Sequence, residues 1–431
     1  MNEAFLQRVA GKKLVLPFFL VAAVFLVIFS LGVGCAAEDW GGHYFQPHLL
    51  ALTHVLLLGF CTMIIFGALY QLLPVLSEKK IYSHTLVVAC CILLPAGTVL
   101  LGIAFWNFTA GPVMETGAVL VTLAVIAHVI NVQLTLRKAT ATDALDCIGT
   151  AHLWLLATVV IGALLAFNFR FAFLPKHQLH YLALHAHLGL AGWFLLLVMG
   201  VASKLLPMFL LSGTQSTKPV KVAYYLMNAA LCGFLADVLL THLYARAGIY
   251  LVIGAAAVVA FFVFVRSVLR GSLRKKKDES MRQSLIAMAI LIVPLLLDAM
   301  NALPGGIISE EAQLRTARLF GITFLPGFIV MLILGQTFKT LPFILWLDLK
   351  SKYRLPAKWM PRDLYSPVMA AATQWTWNAG LLLLVAGSAC SRAIIVKIAA
   401  VLLMVASLLY LCSLLYMLRP QKFSPLERAE K

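Results

Sequence analysis

Residues 54–74 read HVLLLGFCTMIIFGALYQLLP, and the same template returns twice further along the chain. The second copy, residues 187–207, is HLGLAGWFLLLVMGVASKLLP, and the third, residues 322–342, is ITFLPGFIVMLILGQTFKTLP. Their starting points lie 133 and 135 residues apart. A repeat with a nearly constant period predicts a chain of three related units. Two copies begin with histidine, whereas the third begins with isoleucine.

The three copies share small and aromatic positions and a closing Leu-Pro. At 100° per residue, the two shared glycines of each copy fall on the side of the helix opposite its first residue. Small residues let helices approach closely in lipid, so the glycine face is predicted to pack against other helices. The opposite face, which carries the histidine, is left for a function other than close helix packing. The shared positions are Gly59, Gly192 and Gly327; Phe60, Trp193 and Phe328; Gly67, Gly200 and Gly335; and Pro74, Pro207 and Pro342.

The composition excludes a soluble domain. Mean hydropathy is +0.95, and only 12% of the residues are charged, against about 25% in soluble domains. Apolar runs of about 20 residues cross the hydrocarbon core, and each is predicted to be a helix because backbone groups must be paired there. We count twelve such runs, at approximately 14–35, 47–76, 84–107, 112–136, 147–168, 178–211, 220–245, 247–269, 281–303, 314–346, 366–389 and 393–418.

The spacing of these runs predicts an all-α integral membrane protein. The loops are too short for a separate soluble domain, so residues 1–431 are interpreted as a single integral membrane domain. Its twelve transmembrane helices form three pseudo-threefold four-helix units, with the repeated motif on helices 2, 6 and 10. The units span about residues 14–136, 147–269 and 281–418.

Basic residues concentrate in alternate loops and in both terminal segments, which accounts for the net charge of +17. Cytoplasmic loops accumulate lysine and arginine, so both termini are predicted to be cytoplasmic in a bacterial-type inner (plasma) membrane. Membrane lipid is then the expected environment, and nucleic acid is not needed to explain the charge. In this orientation His54 and His187 lie at one level in the outer half of the membrane, roughly 10 to 14 Å from their helix starts.

Histidines inside hydrocarbon need a reason, because ionisable side chains are costly there. Neutral imidazole ligates iron and copper, and its other nitrogen is commonly held by an acceptor. His54 and His187 occupy equivalent repeat positions and are therefore our first candidates for metal and cofactor binding. Trp193, which follows His187 in the same motif, is a candidate to pack on a macrocycle.

His185 and His242 are further candidate metal ligands. Asp237 and Asp298 are candidates to accept hydrogen bonds from the ring nitrogens of ligating histidines that do not bind the metal. His185 lies two residues from His187, which is about 200° around a helix, so one of them is predicted to point elsewhere. The alternative is that these are ordinary neutral histidines bonded to nearby carbonyls.

Two other groups of polar residues have open interpretations. His128 and His152 lie nearer the cytoplasmic half and are interpreted as structural or as part of a polar path. Arg170, Arg315 and Arg318 lie on the outer side, where basic residues are unusual. They are candidates either for anionic groups such as haem propionates or for ordinary ion pairs with neighbouring glutamates.

The predicted topology resembles subunit I of the haem-copper oxidases over nearly the whole chain. The resemblance therefore implies a cytochrome c oxidase subunit I-like arrangement of the twelve helices. In that family helix 2 carries a haem ligand, which His54 matches, and helix 6 carries a copper ligand, which His187 or His185 matches. The paired copper ligands of helix 7 have one counterpart here, His242. The resemblance therefore implies haem b, with copper as a second candidate cofactor.

Helix 10 departs from the oxidase pattern. It carries haem ligands in the oxidases, whereas residues 314–346 contain no histidine, and Ala191 stands where the oxidases have their cross-linked tyrosine. The motif is also similar to that of the NnrS membrane proteins, a divergent branch with twelve spans that binds haem and copper and is linked to nitric oxide stress. The absence of histidine ligands from helix 10 fits this branch better than it fits a working terminal oxidase.

These features predict a haem-binding protein of this superfamily, with copper as a further candidate cofactor. The role that the resemblance implies is redox handling of nitric oxide or oxygen, or protection against them. The resemblance implies oxidoreductase chemistry without naming a catalytic residue. It also implies an electron-donor protein or quinol, and a partner subunit, as candidate partners. Two alternatives remain: a respiratory oxygen or nitric oxide reductase subunit, and a proton-coupled or metal transporter. Transporters often contain inverted halves, whereas these repeats run in one direction.

Overall fold

The computed structural model describes residues 12–213, 216–241, 246–274, 276–303, 307–352 and 359–419. Among these residues, twelve helices are long and apolar enough to cross a membrane, which confirms the predicted all-α fold and the number of spans. They are α1 Lys12–Cys35, α2 Pro47–Ser77, α3 His84–Trp106, α4 Pro112–Leu136, α5 Asp143–Phe171, α6 Gln178–Leu210, α7 Lys218–Leu240, α8 Ala247–Arg270, α9 Glu279–Asn301, α10 Glu310–Lys350, α11 Pro367–Ala389 and α12 Ala393–Leu418.

Two helices begin four residues before their predicted apolar runs. α10 begins at Glu310, where the hydroxyl of Ser309 accepts a hydrogen bond from the first turn. α5 begins at Asp143, where Thr142 caps the helix in the same way. Hydroxyl caps and acidic first turns stabilise the N-terminal end of a helix. Hydropathy does not register these polar signals, so the apolar runs are shorter than the helices.

The helices that carry the repeated motif are the most buried in the bundle. Consecutive helices pack side by side, and α12 packs against α1. In α2, α6 and α10 the buried share of the most apolar window is 67%, 61% and 78%, whereas in the other nine helices it is between 28% and 50%. The repeat therefore places its three copies where they are surrounded by protein rather than by lipid.

Each copy of the motif begins where the helix changes its hydrogen bonding. π-helical stretches cover Val55–Thr62, Leu188–Leu195 and Thr323–Ile329, and they start immediately after His54, His187 and Ile322. Short π-helical segments inside α-helices occur frequently at functional sites. A fourth stretch, Asp237–Thr241, lies in α7. The equivalence of the three copies thus extends from sequence to backbone conformation.

The shared glycines lie on packing faces, as predicted. A Cβ atom added at Gly59 would collide with the ring of Phe25 in α1, and one added at Gly192 would lie 2.7 Å from Trp154 in α5. These close approaches determine how far α2 and α6 are rotated about their axes. They therefore also determine where the histidines of both helices face.

Candidate cofactor site

A cavity of about 600 Å³ occupies the end of the bundle where α2, α6 and α10 begin. Cofactor and ligand pockets usually measure roughly 300 to 1,000 Å³ and are mostly apolar with a few convergent polar groups. Five of the seven predicted site residues line this cavity: His54, His185, His187, Trp193 and Asp298. The sequence-based candidates on α2, α6 and α9 therefore meet around one space.

His54 and His185 lie next to each other in the lining of the cavity. The Nδ1 atom of His54 lies 2.8 Å from the carbonyl oxygen of Leu50, and Nδ1 of His185 lies 2.9 Å from that of Thr158. A carbonyl oxygen only accepts, so both Nδ1 atoms donate. In the neutral imidazoles Nε2 then carries the lone pair. Each ring is thus held in the tautomer whose Nε2 can ligate a metal.

The separation of these two rings suits two ligands of one metal atom. Their centroids are 6.4 Å apart, and their planes differ by 19°. Metal–imidazole nitrogen distances of about 2 Å place the ring centres of two opposed ligands about 6 Å apart. The structure therefore brings His185, and not the repeat-equivalent His187, next to His54 in ligand-like spacing.

His187 faces another part of the same cavity. Its Nδ1 atom donates to the carbonyl oxygen of Ala183 at 2.8 Å, and its Nε2 atom lies 3.4 Å from Oδ2 of Asp298. Its ring packs against Phe234 and Phe320 at centroid distances of 5.6 and 6.2 Å. The angular separation from His185 thus directs the two rings to different neighbours, although both line the cavity.

The sequence predicts that aspartates accept hydrogen bonds from the histidine nitrogens that do not bind a metal, and the structure shows other partners for these nitrogens. Backbone carbonyls, rather than carboxylates, hold Nδ1 of His54, His185 and His187. Asp298 faces the opposite nitrogen of His187. Asp237 is buried in α7, with Oδ1 4.0 Å from Nη1 of Arg246, and does not line the cavity. His242 lies outside the described residues.

Three buried N–H donors in the cavity wall have no hydrogen-bond partner among the residues that the structure describes. They are Nε1 of Trp40, Nε1 of Trp193 and Nε of Arg318. An unsatisfied buried donor costs about 1 to 3 kcal/mol. Each of these three nitrogen atoms is covered by neighbouring protein atoms, so it does not open into the space of the cavity.

The structure shows which of the three arginines on the outer side form ion pairs and which one lies in the cavity wall. Arg170 pairs with Glu115 at 3.3 Å, and Arg315 pairs with Glu311 at 2.9 Å. Arg318 is 8% exposed, and its Nη1 and Nη2 atoms donate to the backbone carbonyls of Gly42 and Ser388. Its charge therefore lies in the cavity wall, where it can attract an anionic group.

Tyr44, in the loop before α2, also lines the cavity. Partial burial raises the pKa of its phenol above the ordinary value, although 37% of the residue is exposed. A raised pKa favours the protonated form, so the hydroxyl remains a neutral donor at physiological pH. Sequence reasoning missed both Tyr44 and Trp40, because neither belongs to a membrane-spanning run.

His128 and His152 belong to a separate buried network. The His152 Nδ1 atom donates to the carbonyl of Ile148 at 2.6 Å, so its Nε2 atom accepts from Nε2 of His128 at 3.1 Å. Nδ1 of His128 then accepts from the hydroxyl of Tyr70 at 2.6 Å. Every nitrogen is used, and the network joins α2, α4 and α5. Trp193 separates it from the cavity, with its ring 5.0 Å from that of His152.

Within the described ranges, no three histidine, cysteine, aspartate or glutamate side chains are grouped closely enough to hold a metal ion by themselves. Two neighbouring imidazoles in the lining of a large, mostly apolar cavity suit a metal that is bound within a larger organic cofactor, because the protein then supplies only some of its ligands. No protein-family model matches the chain, and no curated protein is significantly similar to it.

Proposed function

We propose that this chain is a multi-pass membrane protein that binds b-type haem in the 600 Å³ cavity, where His54 and His185 would hold the iron. One observation carries the proposal: the imidazoles of His54 on α2 and His185 on α6 both line the cavity, with centroids 6.4 Å apart. Both rings have their Nδ1 atoms bound to carbonyls, which leaves Nε2 free to ligate. Rigid helices on both sides would keep the ligands in place.

The remaining walls of the cavity fit the other parts of a haem. Arg318 lines the cavity, and its positive charge would attract the carboxylates of the porphyrin. Phe105, whose ring lies 4.8 Å from that of His54, and the ring of Trp193 offer apolar surface to the macrocycle. Charged hydrogen bonds to a carboxylate contribute about 1.5 to 3 kcal/mol each. These residues would therefore orient the group as well as retain it.

We further propose the architecture that the sequence suggested: three pseudo-threefold four-helix units of the oxidase subunit I type, closest to the NnrS-like branch. The high burial of α2, α6 and α10 and their equivalent π-helical stretches support this. Both termini would be cytoplasmic in a bacterial-type inner membrane, as the basic loops favour.

The function proposed for this site is redox handling of nitric oxide or oxygen, or protection against them. Bound haem would supply one-electron chemistry at its iron. The protein's own residues would hold the imidazole tautomers, exclude water and neutralise the carboxylates. An electron-donor protein or quinol, and a partner subunit, remain proposed partners. Copper would require His187 together with a ligand beyond the described residues, for which His242 is the candidate.

Absorption spectroscopy tests the proposal directly. Protein purified from haem-replete cells is expected to show a Soret band and reduced b-type bands. His54→Ala and His185→Ala should each lose or strongly weaken this spectrum, because each removes one nitrogen that would bind the iron. His187→Ala should keep it, and His84→Ala, at the exposed first residue of α3, is the matched control.

Two results would contradict this assignment. A colourless, iron-free protein would reject haem binding altogether. Loss of the spectrum in His187→Ala with retention in His185→Ala would move the second ligand to the repeat-equivalent position. Gas consumption with an electron donor would identify a reductase, and metal or proton flux without a visible spectrum would identify a transporter.

A further inference from the structure

α5 carries none of the histidines that line the cavity, yet two of its residues, Thr158 and Gly162, border His185. The carbonyl oxygen of Thr158 accepts a hydrogen bond from Nδ1 of His185 at 2.9 Å. Gly162 follows Thr158 by four residues, which is about one helical turn. Residues four apart lie on the same face of a helix. α5 therefore presents Thr158 and Gly162 together to α6.

Gly162 leaves the space that the imidazole of His185 occupies. A Cβ atom added at Gly162 would lie 2.7 Å from Cε1 and 3.2 Å from Nδ1 of His185. Non-bonded carbon atoms prefer separations of about 3.5 to 4.0 Å, so a methyl group and the ring do not both fit there. To make room, the ring would have to move away from α5 and lose its hydrogen bond to Thr158.

Two further contacts fix Thr158 itself. Its hydroxyl donates to the carbonyl oxygen of Trp154 at 2.7 Å, and the residue is buried. On the facing helix, a Cβ atom added at Gly189 would lie 3.2 Å from Cγ2 of Thr158. Small residues let helices approach closely in lipid. The acceptor for His185 is therefore held at a buried, closely packed contact between α5 and α6.

The other two histidines of the cavity are oriented without α5. Nδ1 of His54 and Nδ1 of His187 donate to carbonyl oxygens of their own helices. A change at Gly162 should therefore displace the ring of His185 and leave those of His54 and His187 in place. The distance between the rings of His54 and His185 would change as a result.

We infer that Gly162 is a positioning residue for His185. The absence of a side chain at this position lets the imidazole reach the carbonyl of Thr158 and stay next to His54. The consequence for iron binding rests on the proposed haem function, whereas the contact between Gly162 and His185 does not. Gly162 also lines the cavity, as does its neighbour Ala163, so the test must distinguish displacement of His185 from added bulk in the cavity wall.

A double-mutant cycle on the haem-free protein tests the contact. Gly162→Ala should lower the folding equilibrium constant at least about tenfold, or about 1.4 kcal/mol, because the added methyl group overpacks the contact with His185. In the His185→Ala background the same substitution should be neutral or stabilising, since alanine favours helices over glycine. Gly149→Ala, also in α5, adds a Cβ atom whose nearest neighbour lies at 3.4 Å, and it should behave alike in both backgrounds. Unfolding in detergent–denaturant mixtures measures all variants.

Absorption spectra of protein from haem-replete cells test the consequence for the cofactor. At equal protein concentration, Gly162→Ala should weaken the Soret band and the reduced b-type bands, because His185 is moved from its place next to His54. Ala163→Ser adds one heavy atom at the neighbouring position of the same wall and should keep the spectrum.

The outcomes separate this inference from the proposed function. An equal cost of Gly162→Ala in both backgrounds overturns the inference, because the clash is then not with His185. An unchanged spectrum in Gly162→Ala, or an equal loss in Ala163→Ser, also overturns the positioning role. A cost that disappears in the His185→Ala background, with a spectrum weakened in Gly162→Ala alone, supports it. Absence of the Soret band in the wild type rejects the haem proposal, and the cycle by itself then decides whether Gly162 positions His185.

Discussion

His54 and His187 use the same bond at equivalent positions: Nδ1 of each donates to the carbonyl four residues earlier, on Leu50 and Ala183. The bond orients each ring from within its own helix, so it needs no contact with a neighbouring helix. His185 is different, because its acceptor is Thr158 on α5. A hydrogen bond within the same helix thus orients His54 and His187. A hydrogen bond to another helix orients His185, which lies next to His54.

Arg318 supplies a prediction at the same scale. Arg318→Gln should weaken haem binding by the apoprotein about tenfold or more, because a charge-assisted hydrogen bond contributes about 1.5 to 3 kcal/mol. Arg315→Gln should leave the affinity unchanged, since Arg315 pairs with the exposed Glu311. Titration of the apoprotein with haem measures both. Equal affinities of the two variants would remove Arg318 from the site.

At the level of the helices, the motif combines a close packing face with a local change of hydrogen bonding. The π-helical stretches begin directly after the first motif residue, and Gly59 and Gly192 lie within them. At these positions a neighbouring ring, Phe25 or Trp154, occupies the space that a Cβ atom would need. The glycine and histidine faces are therefore two consequences of one helix rotation.

Gly59→Ala should destabilise the protein by about 1 to 3 kcal/mol, because an added methyl group overpacks the contact with Phe25. The same substitution at Gly254 in α8, where the added atom meets open space, should be neutral or stabilising, since alanine favours helices over glycine. Unfolding in detergent–denaturant mixtures measures both free energies. If both variants behave alike, the packing face does not set the position of α2.

At the scale of the whole molecule, two polar systems tie the bundle together. The cavity joins side chains from several helices, and its lining residues include three buried N–H donors without a partner among the described residues. The Tyr70–His128–His152 network joins α2, α4 and α5 and leaves no nitrogen open. Fully satisfied buried networks make packing specific, whereas unsatisfied ones indicate a missing partner. The two histidine groups therefore differ in role, although both are buried.

Tyr70→Phe should lower the unfolding free energy by about 1 to 2 kcal/mol, because it leaves Nδ1 of His128 buried without a donor. Tyr410→Phe is the matched control. Tyr410 is equally buried, and its partner Thr337 keeps a bond to the carbonyl of Ile333. Thermal unfolding in detergent should show a smaller loss for the control. A Tyr70 variant as stable as the wild type would reject the structural role of the network.

Sequence alone determined the twelve helices, the threefold repeat and the cavity-lining positions of His54 and His187, because hydropathy and helical period are properties of each helix in lipid. Only the tertiary structure decided which two imidazoles lie next to each other and which arginine lies in the cavity wall. These pairings depend on how neighbouring helices are rotated against one another. The acceptor for His185 lies on another helix, 27 residues away, and no pattern within α6 encodes it.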